Sequence, residues 1–382
     1  MSAEEEEKEK LGKAKHHRTD DLRNLVSSVR NGTFQYDGSQ KKSLDWSSYD
    51  EAQVHELADM LELIRDSVDQ ASTRVPPPLL ERNARRAGRP PCPPADVAKT
   101  LLLQSYFGVS NRVAAGLVRV FKEKLRISNE FSYKTIERGY DPSTVTVILQ
   151  EVFKLTNEFG NAKETTFSTD GSGDPSSTKV NYESIRSEQR KNNHQHSASP
   201  SLPPQSWPST KHDFQYTESS VGVHTKIIAG FRSTDDHSIG ELSLFPGVMA
   251  QTHSNCPQMD TMLGDSLYAS RNACAVVASY GVKAYFLPKS NSTFKSHGVP
   301  AWSNMTHEFV ADPQAWLAVY HMRSISETVN SMEKRRFPAN LRKKLTLRKD
   351  TEEFLRQDVH NLRQYSYLSY LRPDLIIYPM YS

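Results

Sequence analysis

Near Gly160 the hydrophobic pattern of this 382-residue chain changes its period. Between Ala95 and Gly160 the apolar residues recur at helical spacing. "PADVAKTLLLQSYFG" predicts a helix opened by Pro94 and closed by Gly108, and "SNRVAAGLVRVFKEKL" a second with Ser110 as its cap. "SYKTIERGY" and "DPSTVTVILQEVFKLTNEFG" predict two more. Beyond Gly160, strand-like runs alternate with helical ones. "ETTFSTDGSG", "SSVGVHTKIIAGF", "GELSLFPGV", the apolar run before Asp265 and "VKAYFLPKS" predict five strands. "RNACAVVASYG" and "DPQAWLAVYHMRSISETVNSMEKRRF" predict helices, the second starting at Asp312-Pro313. An all-α unit followed by an α/β unit is therefore expected.

The remaining stretches set the boundaries. Residues 1–85 are polar, with one amphipathic helix whose Val54, Leu57, Met60, Leu61 and Ile64 recur at helical spacing. Part of it, residues 50–75, is a candidate dimer contact. "RVPPPLLERNARRAGRPPCPP" then reads as a linker. Residues 86–160 form the helical region and 161–382 the α/β domain. Residues 184–213, rich in Ser, Pro, Gln and His, read as a mobile polar insertion in which His194 and His196 are solvated. The short helices of 86–160, with Arg and Lys exposed, suit either a helix-turn-helix DNA reader or a plain bundle.

Charge is nearly balanced, 48 Lys+Arg against 45 Asp+Glu, so the total selects no partner. Its distribution is more informative. From Lys334 to Lys349 there are eight Lys or Arg and no Asp or Glu, a run that suits phosphate contacts or a solvated face. Cys92, Cys256 and Cys274 lack metal-ligand spacing and read as reduced thiols of an intracellular protein. No apolar run approaches a membrane span, and the acidic start is unlike a signal peptide. A soluble, cytoplasmic protein is the expectation.

Three carboxylates stand out by position. Asp170 ends the first strand and is followed by Gly171, Ser172 and Gly173; Asp265 follows Gly264 after the fourth; Glu327 lies on the late helix. Taken singly, each is an ordinary strand-end or surface acid. Together they have the layout of RNase H-like nucleases, in which crowded carboxylates hold hard cations. Two Mg²⁺ ions roughly 4 Å apart clamp the attacking and leaving oxygens of a phosphodiester in such sites.

"YHMRSISETVNSMEK" carries Tyr320, Arg323, Glu327 and Lys334 at the gaps Y-(2)-R-(3)-E-(6)-K. In this it resembles the insertion-sequence DDE transposases. "GDSLYASRNACAVVASYGVKAYFLPKS" resembles that family's second-aspartate region, with Asp265, Tyr268 and Lys289 in place. "TDGSG" resembles the first-aspartate strand, and "DVHNLRQ" the terminal helix with His360, Asn361 and Leu362. "AGRPPCPPADVAKTLLLQSYFG" resembles the opening of the family's helical region, so the likeness runs from about residue 88 to 365.

The resemblance implies an RNase H-like catalytic domain, a mixed five-stranded sheet flanked by helices, behind an N-terminal all-α DNA-binding region. It implies Asp170, Asp265 and Glu327 as catalytic, metal-binding residues for two Mg²⁺, with Mn²⁺ able to substitute. Tyr320, Arg323, Lys334, Tyr268 and Lys289 are the implied DNA and phosphate contacts. The implied reaction is cleavage at the element's ends, then attack of the freed 3′-OH on target DNA. Double-stranded DNA (terminal inverted repeats and target) is the implied partner of a homodimer, at the nucleoid of a prokaryotic cell. The bland alternative pairs Arg323 and Lys334 with acids such as Glu333. A same-fold nuclease without strand transfer, and a transposase-derived DNA-binding protein without catalysis, stand as rivals. Tyrosine-recombinase chemistry is disfavoured because neither Tyr268 nor Tyr320 lies within an Arg/His set.

Two departures accompany the likeness. "PGVMAQTHSNCPQMDTML" looks too short for a full helix between the third and fourth strands, which makes Asp260 a strand residue. The insertion between Asp170 and the second strand is longer and more polar than a plain hairpin, and the short stretch from Asp265 to Glu327 leaves no room for a large inserted β-domain.

Overall fold

The computed structural model describes residues 17–35, 45–76, 92–180, 212–236, 238–338 and 340–380. The acidic start, most of the expected linker and nearly all of the expected insertion, His194 and His196 included, lie outside the described residues.

Strand β1 (Thr166–Val180) pairs antiparallel with β2 (His212–Gly222), with Asp170 opposite Ser219 and Gly171 opposite Glu218. A tight turn with Lys226 at φ +59 returns the chain into β3 (Ile228–Thr234), antiparallel to β2. Strands β4 (Thr261–Gly264) and β5 (Lys283–Phe286) add in parallel on the other side of β1. The result is a mixed five-stranded sheet of order β3-β2-β1-β4-β5. Parallel neighbours need crossovers. Helix α7 (Glu241–Asn255) supplies the one into β4 and α8 (Arg271–Ala278) the one into β5.

Two strand expectations are corrected here. "SSVGVHTKIIAGF" holds the end of β2, a turn and the start of β3. "GELSLFPGV" is not a strand but the start of α7, and a full helix does fit before β4. Pro246, inside that helix, disguises its period; the buried residues Phe245, Val248, Met249 and Thr252 are spaced three and four apart. Asp260 lies just outside β4, exposed, with its carbonyl accepting from the Lys283 amide at 2.8 Å.

The long late helix is also divided. Helix α10 (Pro313–Tyr320), capped by the Asp312 carboxylate, passes through a 3₁₀ turn at His321–Arg323 into α11 (Ser324–Arg336). The physical reason is visible at the turn. Ser168 of β1 donates its hydroxyl to the Arg323 carbonyl at 3.0 Å, and Ser326 donates to the same oxygen at 2.8 Å. Side chains inserted into a helical ladder interrupt it in this way.

Six helices build a second core. These are α2 (Trp46–Arg74), α3 (Pro94–Phe107), α4 (Asn111–Phe121), α5 (Tyr133–Gly139), α6 (Thr144–Gly160) and α12 (Thr346–Leu371). Met60, Ile64, Leu101, Leu102, Ile148, Val152, Val359 and Leu362 are among its fully buried members. In α2 the expected stripe is buried at Met60, Leu61 and Ile64 and exposed at Val54 and Leu57. The first helix, α1 (Thr19–Arg30), buries Leu22 and Val26 in the sheet's core beside α9 (Pro300–Ala311). Asn361 of α12 locks the two halves together: its Oδ1 accepts from the Ile228 amide and its Nδ2 donates to the Ile228 carbonyl, both at 2.8 Å. No helix among the described residues is long and apolar enough to cross a membrane.

Candidate active site

Successive strand residues face opposite sides of a sheet. On β1, Ser168 and Asp170 face α11, whereas Thr169 and Gly171 face α7. Asp170 meets Asn330 of α11, whose Nδ2 donates to its Oδ2 at 2.8 Å. The β1–β4 ladder ends with Ser168 opposite Leu263, so two residues further on Asp170 comes level with Asp265. Asp265 turns back into its own loop, its Oδ1 accepting from the Leu267 amide at 2.6 Å. Asp265 follows the carboxyl end of β4 and Asp170 the end of the parallel β1–β4 ladder, where open α/β sheets place their sites. Strand β1 itself does not end at Asp170 as expected and runs on against β2 to Val180.

Glu327 projects from the first turn of α11. Arg323 donates from Nη1 to Glu327 Oε1 at 2.6 Å and from Nε to the Tyr320 hydroxyl at 3.0 Å. The Tyr320 ring, nearly buried, stacks on Trp316 with centroids 5.2 Å apart. Helical spacing thus puts Tyr320, Arg323 and Glu327 in one connected row. The expected bland pairing with Glu333 is absent among the described contacts of Arg323. Burial instead pushes the Glu333 carboxyl up to about 8.

Asp170 responds to the acids around it. Burial, then the negative charges of Glu241, Glu327 and Asp265, pushes Asp170 up to about 6 against a hydrogen bond from the Gly171 amide. Like charges held near each other in a partly dry setting raise a carboxyl in this way.

The opposite face of β1 holds residues that the sequence reading passed over. Glu218 of β2 is fully buried, and burial pushes it up to about 8 although Thr169 and Tyr268 hydrogen-bond to it. The Tyr268 hydroxyl lies 2.6 Å from Glu241 Oε1 and 3.2 Å from Glu218 Oε1. Tyr268 is itself fully buried against Phe245 and Phe286, so its ring does not reach the surface. Of the other expected phosphate contacts, Lys334 and Lys289 are exposed. Asn330 was findable, since it lies three residues after Glu327 on the same helix face. Glu241 was hidden by the strand reading of its segment, and Glu218 by the absence of any local signal.

Among the described residues, no three His, Cys, Asp or Glu side chains are placed to hold a metal ion. Each acid is engaged elsewhere: Asp170 with Asn330, Glu327 with Arg323, Glu241 with Tyr268. The donor chemistry nonetheless suits a hard divalent cation, because every group is a carboxylate and a cation relieves the repulsion acting on Asp170.

Much of the basic run is structural. Arg336 pairs with Glu56 at 3.2 Å and lies over the Tyr106 ring, Lys343 and Arg348 pair with Glu137, and Lys349 pairs with Asp235. Lys334, Arg335, Arg342 and Lys344 remain exposed. A second basic surface lies between α4 and α5, where two adjoining hollows of about 760 and 530 Å³ share Arg112, Tyr133 and Arg138. Arg112 lies over the Tyr133 ring at 5.0 Å, and Lys134 and Arg119 line the flanks.

Over 322 residues the sequence is 24% identical to a protein of Archaeoglobus fulgidus named "Probable transposase for insertion sequence element ISA1214". The alignment covers 83% of this chain and 86% of that relative. No family's sequence model matches the chain. No solved structure matches it either.

Proposed function

We propose that this chain is a DDE transposase with an RNase H-like catalytic domain, acting on the ends of its own element and joining them to target DNA. The observation that carries the reading is geometric. Asp170 and Asp265 come level past the end of the β1–β4 ladder, and Asn330, three residues after Glu327 on α11, donates to Asp170 at 2.8 Å. The strand order β3-β2-β1-β4-β5 and the insertion-sequence relative support it independently.

In this reading Asp170, Asp265 and Glu327 would hold two Mg²⁺ or Mn²⁺ ions, which when bound would supply Lewis-acid activation of the attacking oxygen and charge neutralisation at phosphorus. The chain's own residues do the rest. Asn330 orients Asp170. Arg323 leaves Glu327 and turns its planar guanidinium to a phosphate, a bidentate partner for which arginine is suited. Tyr320 fixes where that guanidinium swings. Lys334 and Lys289 supply point charges to neighbouring phosphates, and Tyr268 acts from within as a positioning residue. The α4–α5 surface is the proposed duplex contact within the helical region 86–160. Joining two ends calls for a homodimer on DNA, at the nucleoid of a prokaryotic host.

A second reading, a transposase-derived DNA-binding protein without catalysis, is favoured by one observation: each acid is already engaged by a hydrogen-bond partner. Plasmid nicking separates the two. The wild type should nick supercoiled DNA when Mn²⁺ or Mg²⁺ is added, and Glu327→Gln should bind DNA without nicking it. DNA binding with no metal-dependent nicking by the wild type favours the silent protein.

A further inference from the structure

We propose that helix α4 reads base sequence at the element's ends: it enters the major groove with Arg112 and Val113 on base edges, and Gly116 lets the groove come close. This rests on the DNA-processing reading above and deepens it, since phosphate contacts position a duplex and base contacts specify it.

Gly116 has no explanation inside the fold. It lies in the middle of α4 (Asn111–Phe121), where glycine costs about 1 kcal/mol relative to alanine. The position is exposed, and a Cβ added there would meet nothing within 4 Å. Gly139 of α5 is the opposite case, since a Cβ there would lie 2.6 Å from the Val97 side chain. An open glycine in a helix leaves room for the close approach of a body outside the chain.

The face around Gly116 defines that body. At the helical period, Arg112 and Arg119 form one edge of the exposed face, Val113 and Val120 the other, and Gly116 the midline. Val113 is 51% exposed and Val120 73%. Arg112 lies over the Tyr133 ring and has no carboxylate partner among the described residues, nor have Lys134 and Arg138 beside it. The acids at the rim are neutralised: Glu130 pairs with Arg119 at 3.0 Å, and Glu137 pairs with Lys343 and Arg348. An apolar edge next to unpaired cations suits the major groove, where thymine methyls lie beside guanine acceptors between walls of phosphate.

The connection into α4 has the matching form. Helix α3 ends at Gly108, φ +59, and only Val109 and the capping Ser110 follow before α4 begins. In a helix-turn-helix the second helix enters the groove and its first turns meet the bases. Those turns of α4 carry Arg112, Val113 and Gly116, whereas α3 is buried from Asp96 to Gln104. A helix about 10–12 Å across fits a groove about 12 Å wide.

The test is selection of duplexes from a pool with a randomised core by the full-length protein, then fluorescence anisotropy on the selected site. The wild type should enrich a motif containing a thymine at which uracil, lacking only the 5-methyl group, weakens binding roughly fourfold. With Val113→Ala and Val120→Ala combined, the same replacement should cost nothing measurable. Arg112→Gln should lose its preference at one guanine. Gly116→Ala should melt no lower than wild type and keep its affinity for unselected duplex, yet bind the selected site roughly tenfold more weakly. A motif read identically by the wild type and these variants overturns the inference and leaves the DNA-processing reading standing. Salt-dependent binding with no enriched motif does the same. A wild type indifferent to uracil at every thymine overturns the apolar contact without recourse to any variant. A change of oligomeric state in the valine variant, read by light scattering without DNA, assigns the face to a second copy of the chain instead. No duplex binding by the wild type overturns both readings.

Discussion

Asp170 shows how a single side chain records its surroundings. Its carboxyl, pushed up to about 6, holds a proton more tightly in the native state than in the unfolded one. Its contribution to stability is therefore fully present below the unfolded value of about 4 and is lost as pH rises through 6. Without divalent metal, Asp170→Asn should melt above wild type by about 2–4 °C at neutral pH, with the gain vanishing near pH 4. A lower melting temperature at neutral pH would show the ionised form to be stabilising instead. At this scale the sequence was most informative where the site lies within one helix. Tyr320, Arg323 and Glu327 form a row because three- and four-residue spacings share a helical face. Glu218 and Glu241 act on Asp170 from the other face of β1, and no spacing rule encodes that.

At the scale of elements, α12 and β3 are joined by a buried amide that serves both backbone groups of Ile228. Asn361→Ala leaves the Ile228 amide without its acceptor, while the carbonyl keeps the Asn157 Nδ2 donor at 3.0 Å, at a cost of about 1–3 kcal/mol in urea unfolding. Asn361→Asp, which keeps the acceptor and loses the donor, should destabilise through the Ile228 carbonyl and the buried charge it introduces. A loss under about 0.5 kcal/mol for the alanine variant would mean that another group takes up Ile228. The helices of 94–160 were legible because their caps and breakers, Pro94, Gly108 and Ser110, are local. Helix α7 was not: Pro246 disguises a period set by Phe245, Val248 and Met249, whose burial comes from packing on β2 and β3. The 3₁₀ turn at His321–Arg323 was equally hidden, since the hydroxyl that interrupts the helix belongs to Ser168 on β1.

At the scale of the molecule, burial raises several acids, within the candidate site and away from it. Glu218, beside the site, and Glu333 are each pushed up to about 8, and Glu353 well above the usual range. Native protons held this way stabilise the fold below about pH 4.5, and that stability is lost as pH rises to about 8. The melting temperature in the absence of metal should thus fall between about pH 6 and pH 8. Glu333→Gln should flatten the slope, and an unchanged slope would place the titration elsewhere. Charge patterning matters at this scale too, because the basic run of 334–349 reads as a DNA track in sequence, yet half of it pairs with Glu56, Glu137 and Asp235. Those acids lie in separate elements, out of reach of a local reading. The α4–α5 surface is the better candidate. Lys134→Gln with Arg138→Gln should weaken duplex binding across sequences and reduce its salt dependence by about two phosphate contacts, measured by fluorescence anisotropy over a salt series. An unchanged salt slope would move the contact to another face.

The most direct measurement is a crystal structure with Mn²⁺ and anomalous data at the manganese edge. Metal-dependent chemistry at this site predicts anomalous peaks among Asp170, Asp265 and Glu327, with Glu327 swung away from Arg323. An ordered site without manganese, or manganese bound only elsewhere on the protein, would contradict it.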